Sequence, residues 1–89
     1  MSPNQINQID IFTAIGDARR RHILELLAQK ERSVGELTTA LGIAQPSVSQ
    51  HLTVLRNVGV VKLTRRGTSS IYTLERDPLA EVIGWIAAL

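Results

Sequence analysis

The side chains best suited to recognition chemistry lie in the stretch QPSVSQHLT, residues 45–53. At helical spacing Val48, Leu52 and Leu55 share one side. Gln45, Ser47, Ser49, Gln50 and Thr53 occupy the other side and the exposed first turn, with Pro46 and Asn57 among them. A face that only has to be wetted is more cheaply built from Glu and Lys. Short hydroxyl and amide groups donate and accept hydrogen bonds at base edges, and they let a helix backbone sit deep in a major groove. Gln also matches the N6/N7 edge of adenine. The plain alternative is a surface helix that happens to lack Glu and Lys. A second cluster, Arg65, Arg66 and Thr68 around Gly67, suits phosphate contact or minor-groove insertion. Its plain alternative is a pair of arginines that keep a two-stranded edge soluble.

Other chemistries find little support. Cysteine is absent, which excludes disulfides, thiolate metal sites and thiol redox sensing. His22 and His51 are the only histidines, and neither has ligand partners in sequence reach. Asp77 and Glu81 alone make a poor transition-metal set. No metal site and no cofactor is therefore expected. No nucleophile–base–orienter set and no glycine-rich phosphate loop appears, so the chain does not read as an enzyme. No apolar run approaches the roughly 18 residues of a membrane span. The start MSPNQINQID lacks the basic and apolar segments of a secretory leader, so the expected compartment is the cytoplasm.

Net charge is only +2, but it is unevenly placed. Residues 19–66 hold nine Lys/Arg against Glu25, Glu31 and Glu36, and both flanking segments are acidic. A basic centre is the footprint of a polyanionic partner. Within it, Arg19 and Arg21 add to the field felt by DNA. Arg20 lies beside an apolar stripe and reads as structural. His51, on the flank of the polar helix, reads as a phosphate contact or a hydrogen bond to the protein.

These residues need a scaffold, and the 89 residues suffice for one domain with an aliphatic core. Ile6, Ile9, Phe12 and Ile15 predict a first helix over 5–15. Asp17 caps a core helix over 18–29 that carries Ile23, Leu24, Leu26 and Leu27. Ser33 and Glu36 form a capping box for a short helix over 34–41, which Gly42 ends. The polar-faced helix follows over 45–58, with Pro46 in its first turn and Gly59 closing it. The period then changes to two, giving a β-hairpin that turns at Gly67. Asp77 and Pro78 start a last helix over 78–89. The order α-α-α-α-β-β-α is mainly α with a small hairpin: a winged helix-turn-helix.

The segments DARRRHILELL, VGELTTALGIAQPSVSQHLTVLRNVGVV and TRRGTSSIYTL, in that order, resemble the winged-helix ArsR/SmtB repressors. The resemblance spans about residues 17–75. It implies a homodimer built from the first and last helices and bound to an operator. It also places Gln45, Ser47, Ser49 and Gln50 on the recognition helix. The wide apolar stripes of the two terminal helices fit that implication, and they supply Ile6, Ile9, Phe12, Leu79, Val82, Ile83, Trp85 and Ile86 as interface candidates. Trp85 alternatively lines a pocket for an apolar effector. The chain departs from the family in three places. Ala18 and Arg19 stand where Pro-Thr is frequent, Thr68 stands where Arg often follows the wing glycine, and the metal-sensing ligands are missing. The expectation is a homodimeric repressor whose helix 45–58 and wing 64–69 read double-stranded DNA. The alternative is a winged-helix module that binds a protein and not DNA. The sequence identifies no effector.

Overall fold

Local signals for starting and stopping a helix place most of the elements. In the computed structural model, which describes residues 9–89, five helices and three strands follow in the order α1 (Ile11–Ala14), α2 (Ala18–Gln29), β1 (Arg32–Ser33), α3 (Val34–Leu41), α4 (Gln45–Asn57), β2 (Val61–Arg66), β3 (Ser69–Leu74) and α5 (Leu79–Ala87). The Asp17 carboxylate accepts from the Arg19 and Arg20 amides at 2.8 and 3.2 Å and starts α2. Ser33 and Glu36 close a complete capping box on α3. Gly42 ends α3 in the left-handed region at φ 66°, a conformation that strains any residue with a Cβ. Only Ile43 and Ala44 then separate it from α4, and the partly buried Ile43 packs against the core.

Three expectations change. The first helix does not run unbroken over 5–15. Asp10 is extended, at φ −91° and ψ 177°, and its carboxylate caps Thr13 N at 2.8 Å, so α1 begins at Ile11. Ile9 therefore precedes the helix, and Ile6 lies outside the described residues. The hairpin is not alone. Arg32 and Ser33 pair antiparallel with Tyr72 and Ile71, making a three-stranded sheet in the order β1-β3-β2. Two polar residues carry no alternation, so sequence gives no sign of β1. Finally, Asp77 does not cap the last helix. Pro78 occupies the cap position in helical backbone without a side-chain bond, and only the Asp77 carbonyl accepts from the chain ahead, at Ala80 N.

The core gathers Ile11 and Ala14 of α1, Ile23 and Leu27 of α2, Leu37 of α3, Val48, Leu52 and Leu55 of α4, and Val60, Val61 and Tyr72 at the sheet. Each helix contributes the stripe its spacing dictates. In β2 and β3 the register Val61↔Leu74 and Leu63↔Tyr72 turns one face of the hairpin inward. All of α4's buried residues lie on one side, which presents the opposite side outward.

The caps also set an acid limit. Hydrogen bonds from the Arg20 backbone, opposed by desolvation and reinforced by the Arg19 amide, hold Asp17 below its ordinary value of 3.8. Bonds from Thr13 and Ser33 likewise lower Asp10 and Glu36. A carboxylate lowered by folding stabilises fully above its unfolded value, and that contribution disappears as pH falls through the folded value. Asp17→Ala should therefore cost about 1 kcal/mol at neutral pH, as lost N-caps do. The difference from the parent should vanish below the Asp17 pKa. Denaturant melts at pH 7 and at a series of lower pH values carried well below 3.8 check this.

Candidate nucleic-acid interface

The exposed side of α4 carries Gln45, Ser49, Gln50 and Thr53, while Ser47 is half-buried at its first turn. Thr53 donates its hydroxyl proton to the Ser49 carbonyl at 2.9 Å, which leaves its methyl group and the oxygen's two lone pairs for a partner. Asp17 and Ser33 cap their helices with side chains, but Ala44 caps α4 with none. The positive end of the α4 dipole is thus uncompensated by any cap carboxylate or hydroxyl. No acidic residue occupies the first turn of α4, and Arg56 is the basic residue of its last turn.

The wing splits its two arginines. Successive residues of a strand face opposite ways. Arg65 lies on the face of Val61 and Leu63, paired with Ser70, and Arg66 lies on the other face, paired with Ser69. Arg66 is held by Glu31 through Nη1 and Nη2, the Nη2 bond at 2.9 Å. The Glu31 hydrogen bond and charge raise its pKa further above an already high value. Arg65 donates to no group among the described residues, and Thr68 is exposed beside it. By residue type and position in the chain the two arginines are equivalent. Nothing in the sequence foretells Glu31, which lies 35 residues from Arg66.

Other cations of the basic centre are also engaged. Arg20 has the structural role its place beside the apolar stripe suggests: its Nε donates to the Ala14 carbonyl at 2.6 Å, Nη2 to Thr13 at 3.3 Å, and Nη1 lies 3.3 Å from His51 Nδ1. Arg21 donates to the Ile15 carbonyl at 2.8 Å, so both arginines secure the end of α1, where carbonyls lack helical partners. Arg32 binds Gln29 and the Leu26 carbonyl. His22 is exposed. Among the described residues no group of three or more His, Cys, Asp or Glu is placed to hold a metal ion.

Neutralising Glu31 should release Arg66 and remove a negative charge beside the wing. Glu31→Gln is expected to raise affinity for any duplex about two- to three-fold. It should also steepen the salt dependence by up to about one unit per protomer. Anisotropy titrations on matched and random duplexes at several salt concentrations measure both.

The interface candidates divide as well. Phe12, Leu79 and Val82 pack against the protomer's own core. Phe12 meets Trp85 edge-to-face, with ring centroids 5.7 Å apart and planes at 78°. Ile83, Trp85 and Ile86 remain 67%, 55% and 57% exposed, with Ile9 and Leu89 also exposed. No described helix is long and apolar enough to cross a membrane.

The matches to known proteins follow this geometry. The model of the bacterial regulatory protein arsR family matches residues 17–62, from the cap of α2 to the start of β2. The chain is 39% identical over 75 residues to the transcriptional regulator KmtR of Mycobacterium tuberculosis, covering 84% of itself but only 58% of KmtR. It is 34% identical over 77 residues to the transcriptional repressor SdpR of Bacillus subtilis, covering 86% of each. The structure of HlyU from Vibrio cholerae superposes with a TM-score of 0.75 at 32% identity, over 97% of this chain and 94% of HlyU. On the family-model match over residues 17–62 and these identities, this chain belongs to the ArsR family of DNA-binding transcriptional regulators.

Proposed function

We propose that the protein is a cytoplasmic homodimeric repressor that binds a pseudo-palindromic operator. One observation carries this reading: α4 presents a hydrogen-bonding face free of acidic residues beside a cationic wing, and an apolar surface lies elsewhere on the domain. Gln45, Ser47, Ser49, Gln50 and Thr53 read base edges, and Arg65, Arg66 and Thr68 contact the backbone. The described interface residues Ile9, Phe12, Leu79, Val82, Ile83, Trp85 and Ile86 join two copies. A two-fold axis then sets two α4 helices into successive major grooves, with half-sites about one helical turn apart. Bound there, the dimer represses by occluding polymerase.

SdpR is named a repressor and V. cholerae HlyU an activator, so the direction of regulation is a property to be measured. The DNA-free interaction module finds no support in these relatives. Selection of duplexes from a random pool, followed by anisotropy at two salt concentrations, tests the proposal. The expected outcome is a pseudo-palindrome and an affinity that falls by orders of magnitude from low to moderate salt. A folded dimer that enriches no sequence would overturn it.

A further inference from the structure

His51 sits one residue beyond Gln50 and one turn beyond Ser47, on the flank of α4 where exposed face meets core. Its ring is held from inside. Arg20 Nη1 lies 3.3 Å from Nδ1, and the same guanidinium is fixed by the Ala14 and Thr13 carbonyls. A guanidinium has five donors and no acceptor. Nδ1 must therefore accept, and the ring carries its proton on Nε2. No described group bonds to Nε2, and no buried side-chain polar atom among the described residues lacks a partner, so Nε2–H reaches solvent. The centre of a helix face in a major groove meets base edges, while its flanks meet the sugar-phosphate walls.

We propose that His51 donates its Nε2–H to a backbone phosphate oxygen at the groove wall, and that Arg20 is the positioning residue that fixes the tautomer for this contact. The inference rests on α4 being the DNA-facing helix. It gives Arg20 a role in DNA binding through the ring it orients, with three of its five N–H groups turned inward to the chain.

The test uses the full chain, the selected operator and a random duplex of equal length. The Gln amide nitrogen overlays Nε2 of a histidine, whereas the Asn amide overlays Nδ1. His51→Gln should hold affinity within about three-fold on both duplexes. His51→Asn should lose about ten-fold per protomer, equally on both, because a phosphate contact is blind to sequence. Gln50→Ala should weaken the operator alone. Nitrogen-15 spectra of the imidazole should show the Nε2–H tautomer in the parent, and operator should shift that Nε2–H resonance. Arg20→Gln places an amide that can also accept beside Nδ1, so it should release the ring to a tautomer mixture and lower affinity on both duplexes alike.

Several results would overturn the proposal. If His51→Asn matches the parent while Gln50→Ala shifts operator preference, the phosphate contact is wrong and α4 still reads DNA. If both variants are silent, α4 is not the DNA-facing helix. If His51→Gln is as weak as His51→Asn, the ring acts by packing. An unchanged tautomer in Arg20→Gln removes the positioning role.

Discussion

Ile86→Glu should leave a folded monomer that no longer binds its operator. Ile86 is 57% exposed, so the substitution removes little packing from its own protomer, and far-ultraviolet circular dichroism should be unchanged. In the dimer the same position would place a carboxylate from each chain into an apolar contact, and buried unpaired charge is strongly disfavoured. The consequence for DNA is larger than for the fold. One bound α4 presents the second to its half-site at an effective concentration on the order of millimolar, and a monomer loses that gain. Operator affinity should fall at least about 100-fold, while weak binding of one protomer persists. Sedimentation gives the mass and anisotropy the affinity. A variant that remains dimeric would place the interface elsewhere.

Leu52→Ala should have the largest effect on stability. Leu52 is 1% exposed and lies on the inward side of α4, in one core with Ile23, Leu37 and Leu55. Truncating a fully buried leucine costs about 2–5 kcal/mol, the spread reflecting how far the cavity collapses. Small domains hold only about 5–15 kcal/mol in total. For a domain of this size each kcal/mol lowers the melting temperature by roughly 4–8 °C, so a loss of at least about 8 °C is expected in thermal melts. The same residue sets the roll of α4, so operator binding should weaken even below the melt. A loss under 1 kcal/mol would mean that the core repacks around α4 without holding its orientation.

Helix α4 shows how much a local pattern conveys. Its inward stripe, its polar face and Pro46 in its first turn are all properties of consecutive residues, and each appears where spacing puts it. The caps at Asp17 and Ser33 and the left-handed Gly42 are equally local, since each signal lies within four residues of the bond it makes. Hydrophobic period likewise gave β2 and β3. The terminal helices were less legible. An apolar stripe continues on paper through Asp10, but that side chain competes for the Thr13 amide and holds its own backbone extended. At the other end, Pro78 enters as the cap and Asp77 takes no capping role.

By itself, then, the sequence determined the helix-turn-helix, the hairpin after it, the polar outward face of α4 and the absence of thiol chemistry. These follow from backbone propensity, capping and the two periods of burial, which act over one or two turns. Only the tertiary structure decided the pairing of β1 with β3, the contact of Phe12 with Trp85, the capture of Arg66 by Glu31 across 35 residues and the hold of Arg20 on His51 across 31. Each of these joins groups whose separation in the chain carries no periodic signal. Which arginine is engaged and which nitrogen of His51 faces solvent are set by where α1, α2 and the sheet come to rest against α4. Those positions depend on packing the whole core at once.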